Sequence, residues 1–319
     1  MLRRLVATGV SVALLTGLTG CGAGSGGGPT PAPDESTSAA VPTRTLSQSE
    51  AATAFELLKE LDYAREKRDC EEVLFLTTSA ASELGGRACE ATRNGRPVPA
   101  RVSYEKVEYF LPDRPQERPW FVALARKPQP SYFLFAYEED RWRLAYGPVR
   151  LVGKAPDLEA DHATRAVPTD DPEDGLRARL VPQKHLAFLS DRFGLSGVRV
   201  ASGDPLRALL TELVRKPAGV RPDRLSYDVQ LVPGETTALG VGEGGALVFH
   251  AVKIVYTQRA RSGRLAHPLF GADAVRAFTR SARPKTIHVS EIVQFATRVG
   301  ADQKLTTIAM SRSLADITT

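Results

Sequence analysis

The sequence contains few of the residues that most often carry chemistry. Of its 319 residues, only three are cysteines, five are histidines and two are tryptophans. The histidines are scattered, and none lies in HExxH or at another metal-ligand spacing, so we predict no metal site. No nucleophile stands in a known catalytic pattern with the structural context that the pattern needs. We therefore also predict no catalytic residues and no cofactor.

A strong excess of one charge is also lacking. The 42 lysines and arginines and the 37 aspartates and glutamates give a net charge of +5. If the first 20 residues are removed, Arg3 and Arg4 go with them, and the balance becomes 40 against 37, or +3. The sequence has no run of basic residues with interleaved aromatic residues, so we predict no nucleic-acid partner.

Two short motifs match a functional pattern by their letters alone. The stretch Gly240–Gly245 satisfies GxGxxG, but β-branched and aromatic residues follow it where a dinucleotide site needs a helix. The stretch Ser103–Lys106 satisfies SxxK, but its alternating pattern predicts a strand, which points the serine and the lysine to opposite faces. We interpret the first as a loop between strands and the second as part of a strand.

Residues 1–20 have the arrangement of an export signal. Arg3 and Arg4 give a positive start, a mostly apolar stretch runs from Leu5 to Leu18, and two small residues follow. The apolar stretch has about 14 residues, fewer than the roughly 20 that a membrane-spanning helix needs. We therefore predict a cleaved signal peptide over residues 1–20 and no membrane-spanning segment in the mature chain.

The end of this segment, Leu18-Thr19-Gly20-Cys21, resembles the lipobox of bacterial lipoproteins, in which an aliphatic residue and two small residues precede a cysteine. The resemblance implies that the Cys21 thiol receives a diacylglycerol and that cleavage leaves Cys21 as the first residue. Two acyl chains are enough for stable membrane anchoring. We therefore expect an extracytoplasmic protein that its lipid anchors to the outer face of the plasma membrane.

Residues 21–49 are rich in glycine, proline and serine and have almost no large apolar side chain. This composition predicts a disordered tether. A flexible chain of roughly 28 residues has a mean reach of about 30 Å. The tether would act as a spacer that lifts the folded part off the membrane.

If Cys21 carries lipid, Cys70 and Cys89 remain as an even pair in an exported chain. A disulfide persists outside the cytoplasm, and closing a loop of this length would contribute about 3 kcal/mol. We predict this disulfide, and the alternative is two free buried thiols.

A first α+β domain is predicted over residues 50–153. Ser47 and Glu50 have the spacing of a capping box, and an apolar stripe at helical spacing follows. A second short helix is predicted from Cys70 to about Ala81, with the chain broken at Gly85-Gly86. The period then changes to two, which predicts strands at 102–111, 120–126, 132–138 and 141–146. The acidic residues Glu138-Glu139-Asp140 between the last two strands predict a hairpin turn.

Residues 154–180 are polar, acidic and proline-containing, which predicts an interdomain linker. The second domain, residues 181–319, repeats the order of helices and then strands. The predicted helices are 183–193, 205–215 and 272–280, and the predicted strands are 225–232, 246–258, 286–299 and 305–310. Helices followed by strands favour an α+β fold of two tandem domains, each with N-terminal helices packed on a curved antiparallel sheet.

This order of elements is similar to that of nuclear-transport-factor-two-like (cystatin-like) folds. Together with the lipobox and the tether, it resembles the two-domain lipoproteins of high-GC Gram-positive bacteria. The resemblance implies, in each half, helices that pack on a bent sheet to form a cone with a pocket. Some proteins of these folds are enzymes, many bind ligands and many only mediate contacts, so the fold alone does not decide the function.

Four residues are candidates for lining such a pocket: His250, Tyr256, Trp120 and Tyr132. His250 could serve as an acid, a base or a ligand, in which case it should lie in a closed cavity beside a carboxylate. The alternative is a hydrogen-bonded residue of the sheet. Aromatic residues at alternating strand positions are usually core, but some could line the concave face of the sheet.

These observations predict a non-catalytic binding or interaction module of the bacterial envelope. Its expected contacts are the membrane, through the lipid on Cys21, and an envelope protein or peptide. The alternative is a small-molecule sensor or an enzyme that uses a pocket in one of the two cone-shaped domains, with His250 as the leading titratable residue.

Overall fold

The computed structural model describes residues 46–114, 117–158, 164–168, 170–241, 245–281 and 284–319. It confirms the α+β fold that the sequence predicts, since its helices accompany antiparallel sheets. The predicted signal peptide, Cys21 and most of the predicted tether lie outside the described residues. Within those residues, no helix has both the length and the apolar character needed to cross a membrane.

The helices in the described residues are α1 (Gln48–Phe55), α2 (Leu57–Lys67), α3 (Cys70–Phe75), α4 (Ser79–Thr92), α5 (Asp174–Ser190), α6 (Pro205–Gly219) and α7 (Ala272–Thr279). The strands of the first sheet are β1 (Glu105–Phe110), β2 (Trp120–Lys127), β3 (Ser131–Glu138) and β4 (Arg141–Arg150). Those of the second sheet are β5 (Arg224–Leu231), β6 (Thr237–Gly240), β7 (Ala246–Arg259), β8 (Thr286–Val299) and β9 (Leu305–Thr318).

The start of α1 has the predicted capping box. The Ser47 hydroxyl accepts a hydrogen bond from the Glu50 N–H at 3.2 Å, and the Glu50 carboxylate accepts one from the Ser47 N–H at 2.9 Å. These two bonds satisfy backbone donors that the first turn of a helix leaves without partners. The apolar stripe then buries Ala51 and Phe55 against the first sheet.

The prediction that Gly85-Gly86 breaks the chain is wrong, because both glycines lie inside α4. The break comes earlier, where the Thr78 N–H donates to the Leu144 carbonyl of β4 at 2.9 Å and the chain leaves α3. A Cβ at Gly85 would lie 3.0 Å from a methyl carbon of Val73, so glycine allows α4 to pack closely on α3. The tertiary contact outweighs the low helix propensity of glycine.

Each sheet is built from antiparallel pairs. The strand order is β1-β2-β3-β4 in the first sheet and β5-β7-β8-β9 in the second, where β6 pairs with β7. Glu139 and Asp140 both have a positive φ, which gives β3 and β4 the tight hairpin turn that the sequence predicts. Strand β9 extends to Thr318, beyond the predicted end at residue 310, because β8 supplies backbone partners along its length.

The two sheets pack face to face between two layers of helices. Helices α1 to α3 cover the outer face of the first sheet, and α5 to α7 cover the outer face of the second, while α4 packs against both sheets. A third cluster joins the inner faces, in which Tyr132 of β3 contacts Phe249 of β7. Strands covered on both faces read as nearly continuous apolar runs, as β3 and β7 do.

The shared cluster connects the two predicted halves of the chain. Each of the segments 50–153 and 181–319 contains one sheet, and the inner faces of these sheets make common apolar contacts. Within the segment 154–180, Ala166 forms a bridge with Leu239, and α5 begins at Asp174. The described part of the predicted linker therefore includes ordered backbone contacts with the second sheet.

Candidate functional site

A cavity of about 650 Å³ opens beside α4, where the edge strands β4 and β9 of the two sheets separate. The strands are joined where the Val152 N–H donates to the Ile308 carbonyl at 3.0 Å. Further along β4, the backbone of Leu144 instead bonds to the connection between α3 and α4. Helices α2 and α4 and the irregular segment 96–104 close the space between the strands. Its size suits a small-molecule ligand.

Gly147 allows β4 to form one wall of this cavity. Its φ of +137° lies in the region that favours glycine, and a Cβ there would lie 2.6 Å from a ring carbon of Phe133. Its N–H donates to the side-chain carbonyl of Gln294 at 2.8 Å, which ties β4 to the second sheet. The wall therefore depends on glycine both for its backbone conformation and for the close approach of the ring.

The charged side chains of the cavity wall are mostly basic. Four arginines and one aspartate line it, and among the described lining residues there is no lysine, histidine or glutamate. The charged residues are Asp62, Arg65, Arg96, Arg150 and Arg312. Apolar and aromatic side chains supply much of the remaining wall: Leu58, Leu84, Tyr104, Phe133, Met310 and Leu314. The cavity thus combines cationic groups with an apolar surface.

Two of the four arginines have carboxylate partners. Arg65 lies 3.5 Å from the Asp62 carboxylate, one helical turn away on α2. Arg312 donates to the Glu291 carboxylate at 3.1 and 3.0 Å and to the Glu212 carboxylate at 2.6 and 3.0 Å. These acids balance the charges of the two arginines, and Glu212 and Glu291 hold Arg312 in position from behind the wall.

The other two arginines have no carboxylate partner among the described residues. Arg96 donates to the backbone carbonyls of Ala88 at 3.2 Å and Leu314 at 3.1 Å, and its guanidinium carbon lies 5.2 Å from the Phe278 ring centroid. The Arg96 guanidinium has five N–H donors, so these two hydrogen bonds leave other N–H groups available to bind a ligand. Arg150 is exposed at the end of β4, where its backbone N–H donates to a serine hydroxyl of β9. Positive charge is therefore unbalanced at these two positions.

Partly buried guanidinium groups make this region favourable for an anion. Burial lowers the pKa of the Arg65 guanidinium, an effect that Asp62 opposes, and it also lowers the pKa of Arg96. Burial raises the pKa of the Tyr104 hydroxyl, and the Asp62 charge raises it further. The protein thus keeps guanidinium groups in surroundings that disfavour their charge, and a bound anion would restore the lost stabilisation.

Tyr256, a predicted pocket residue, is fully buried behind the cavity. Its hydroxyl donates to the Glu291 carboxylate at 2.9 Å, and the ammonium of Lys216 lies 4.8 Å from its ring centroid. The hydrogen bonds from Arg312 hold the pKa of Glu212 at about 2. This network supports Arg312 and joins α6 to the second sheet, and Tyr256 itself is not among the residues that line the cavity.

His250 is buried on β7 under α5 rather than in the cavity. Its Nε2 lies 3.1 Å from Nδ1 of His185, and its ring stacks on Phe295 with the centroids 5.2 Å apart. The Nε2 of His185 is buried without a hydrogen-bond partner in the described residues, whereas a backbone hydrogen bond with Val248 opposes the lowering of the His250 pKa. The side-chain hydrogen-bond partner of His250 is thus another imidazole and not the carboxylate that an acid–base role requires.

The other two predicted pocket residues belong to the core between the sheets. Trp120 is half-buried and packs against this core, and Tyr132 is fully buried with its ring 5.7 Å from that of Phe249. Neither is among the lining residues of the cavity. In the described residues, no three histidine, cysteine, aspartate or glutamate side chains come together as a metal site.

The predicted disulfide between Cys70 and Cys89 is present and joins α3 to α4. Both cysteines are buried, and Cys89 is also part of the cavity wall. The disulfide therefore holds in place α4, the helix beside which the cavity opens.

The cavity arginines could not be predicted from the sequence, because nothing in their spacing brings them together. Arg96 and Arg150 are 54 positions apart and line the same cavity only because the segment that follows α4 packs near β4. One local signal was present in Gly147-Pro148, since glycine followed by proline marks an irregular edge strand. Another was the proline-containing stretch Arg96–Arg101, which does not read as a helix or a strand.

Comparison with known proteins identifies a family that covers most of the chain. A family model described as Domain of unknown function (DUF8094) matches residues 72–316. The matched range contains both sheets, whereas α1 and α2 precede it. No curated protein and no solved structure matches the chain. The function therefore has to be argued from the cavity and its chemistry.

Proposed function

The chain belongs to the DUF8094 family, whose description names no activity, and we propose that it is a lipid-anchored binding protein of the bacterial envelope. Its cavity would bind a small anionic ligand that has an apolar body. The observation that carries this proposal is the pair Arg96 and Arg150, two guanidinium groups without carboxylate partners in the described residues, on the wall of a cavity that also has apolar and aromatic side chains.

The composition of the wall supports binding over acid–base catalysis. The hydroxyl groups of its serines and threonine have no histidine or glutamate beside them among the described lining residues. Thr92 and Ser131 donate their hydroxyl hydrogens to backbone carbonyls, which places these groups in structural hydrogen bonds. Guanidinium groups bind carboxylates and phosphates through directed pairs of hydrogen bonds, and apolar walls add affinity for the rest of a ligand.

The cellular location in this proposal is argued from the sequence. The lipobox-like Leu18–Cys21 and the signal-like residues before it support export and lipid attachment. The order of helices and strands supports a relation of each half to nuclear-transport-factor-two-like folds, and the lipobox and tether support a relation to two-domain bacterial lipoproteins. A protein held at the membrane surface would meet ligands of the envelope, including anionic amphiphiles and peptides.

Binding is tested with two probes that have the same alkyl chain and opposite charge. The full chain carrying Cys21→Ser should bind decanoate measurably in isothermal titration calorimetry and bind decyltrimethylammonium at least about tenfold more weakly.

Arg150→Gln should weaken decanoate binding about tenfold, because it removes a charged donor without removing a structural hydrogen bond. Ala100→Trp should also weaken it, because the exposed Ala100 lines the cavity and a larger side chain would fill space there.

The matched control is Arg261→Gln, which removes the same charge from an exposed turn that does not line the cavity. It should leave decanoate affinity unchanged. Equal affinity for the two probes, or equal weakening by Arg150→Gln and Arg261→Gln, would contradict the proposed anionic site.

Lipid anchoring is tested separately with Cys21→Ala in the full chain expressed in a bacterium that processes lipoproteins. The natural chain should fractionate with membranes and carry a diacylglycerol on its N-terminal peptide, as measured by mass spectrometry. The variant should lack the lipid and leave the membrane fraction, because one thiol is the acceptor. An unmodified natural chain would contradict the anchor while leaving the proposed cavity site untouched.

A further inference from the structure

Two large apolar side chains project into solvent from the loop that follows α5. Phe193 is 86% exposed and Leu195 is 84% exposed. Among the described residues, the next most exposed large apolar side chain is Tyr63, at 57%. Single exposed apolar residues are ordinary, but two on one short loop, both almost fully in water, indicate a surface that contacts something else.

The loop is held in this conformation by its own hydrogen bonds. The Asp191 carboxylate accepts from the Phe193 N–H at 3.2 Å and also from the Ser196 N–H. Backbone N–H groups, first that of Leu195, hold the pKa of Asp191 at about 2, so the carboxylate stays ionised. Gly194 and Gly197 adopt positive φ values that complete the turn. The two apolar side chains are thus displayed by a formed loop.

The far end of the loop is also fixed to the rest of the protein. The Arg199 carbonyl accepts from the Leu305 N–H at 2.9 Å, and the Arg199 guanidinium donates to the Asp302 carbonyl at 3.0 Å. At the other end, the Arg192 guanidinium carbon lies 4.6 Å from the Tyr227 ring centroid on β5. The tip of this loop, Phe193–Leu195, is therefore attached to the second sheet on both sides.

Basic side chains lie at the base of this loop. Arg192 and Arg199 flank the tip in sequence, Lys304 precedes the Leu305 whose N–H bonds to Arg199, and Lys184 donates to Gln303 at 3.1 Å. The nearby acids are Asp191, whose oxygens accept from the loop backbone, and Asp302, which lies 3.8 Å from Arg199. The four basic side chains outnumber these two acids, so the base of the loop carries a net positive charge.

We infer that this tip docks on the surface of an anionic lipid bilayer, with Phe193 and Leu195 inserted among the headgroups. A stable protein interface needs about 800 Å² from each partner, whereas two protruding side chains on a narrow loop suit insertion into a fluid surface. Interfacial binding grows with buried apolar area and with attraction between basic side chains and anionic lipids, and the tip has both features.

The inference goes beyond the cavity and does not depend on the lipid anchor. If Cys21 is acylated, the predicted tether of about 30 Å mean reach would keep the tip near the bilayer, and docking would fix which side of the protein faces the membrane. A weak contact is sufficient for that purpose, since the anchor already supplies a high effective concentration.

The test uses the full chain with Cys21→Ser, so that no acyl chain contributes. The protein is sedimented with vesicles of phosphatidylcholine alone or of equal parts phosphatidylcholine and phosphatidylglycerol. We expect binding to the anionic vesicles and at least about tenfold weaker binding to the neutral ones. Phe193→Ser/Leu195→Ser should weaken binding to anionic vesicles at least about tenfold, with an unchanged melting temperature because both side chains are exposed.

The matched control is Val214→Ser, which removes a 49% exposed apolar side chain from α6 and should leave vesicle binding unchanged.

Insertion is measured with Leu195→Cys carrying an environment-sensitive fluorophore, whose emission should shift to the blue on anionic vesicles. The inference is overturned if the chain does not bind, if the double variant binds as well as its parent, or if the emission does not shift. A dimer in sedimentation velocity that the double variant abolishes would also overturn it, since the occupant would then be a second copy.

Discussion

Between pH 7.0 and pH 5.0 the protein is expected to lose about 2 kcal/mol of unfolding free energy through His250 alone. Burial lowers the pKa of this imidazole to about 3, and burial together with the neighbouring His250 lowers the pKa of His185 well below its ordinary value. In the unfolded chain both imidazoles take up a proton below about pH 6.5. The loss follows because the unfolded state then binds more protons than the folded state.

The change in unfolding free energy differs between the ranges of pH. Above about pH 6.5 both states hold His250 neutral, and its contribution to stability does not change. Below that value the unfolding free energy falls by about 1.4 kcal/mol per pH unit until the folded-state pKa of about 3 is reached. His185 adds to the same downward slope, because its folded-state pKa is lowered as well.

The measurement is urea unfolding at pH 7.0, 6.0 and 5.0, compared with His185→Leu/His250→Leu. Replacing both partners leaves no ring nitrogen unpaired, so the variant should be close to the natural chain at pH 7 and should lose most of the slope between pH 6 and 5. His288→Leu, which changes an exposed histidine, is the control and should keep the slope. A double variant as acid-sensitive as its parent would show that other groups cause the loss.

Removal of the disulfide is expected to lower the unfolding free energy by about 3 kcal/mol. Cys70 and Cys89 are 19 positions apart, and the bond between them restricts the unfolded chain while both residues lie in the core under the first sheet. The comparison is Cys70→Ala/Cys89→Ala against its parent, both in the full chain with Cys21→Ser. Urea unfolding with and without dithiothreitol gives the free energies.

Dithiothreitol should destabilise the parent to about the level of the double variant and should leave the variant unchanged, since the variant has no thiol. Cys89 is also part of the cavity wall, so decanoate affinity should fall with reduction in the parent and not in the variant. A parent whose unfolding is insensitive to reduction under conditions that free both thiols would contradict this account.

Local interactions explain which parts of the fold the sequence could predict. The capping box at Ser47 and Glu50 is a contact between residues three apart, and the turn at Glu139-Asp140 follows from two adjacent polar residues between alternating strands. The pairing of Cys70 with Cys89 followed from the small number of cysteines. In the capping box and the turn, the interacting residues are near neighbours in the chain. For the disulfide, few other cysteines were available as partners. The pattern of residues is therefore sufficient to predict these three features.

The elements that were misjudged depend on partners far away in the chain. Gly85 and Gly86 lie inside α4 because the helix packs closely on Val73. Helix propensity takes no account of such a tertiary contact. Strand β9 extends past residue 310 through Ser311, Arg312 and Ser313, where no apolar alternation marks a strand, because β8 pairs with it there. Backbone pairing with a neighbouring strand depends little on side-chain pattern, so such a strand leaves a weak signal in the sequence.

The sequence by itself determined the α+β class, most helices and strands, and the disulfide, while export and lipidation stay predictions. Each of these depends on short-range periodicity, on capping and turn residues, or on a motif within a few positions. Only the tertiary structure decided that the two sheets share a core, that His250 meets His185, and that Arg96 and Arg150 face one cavity. The physical reason is that hydrophobic burial is not directional: apolar runs indicate that a face is buried, whereas the face that covers it is selected by packing over the whole chain.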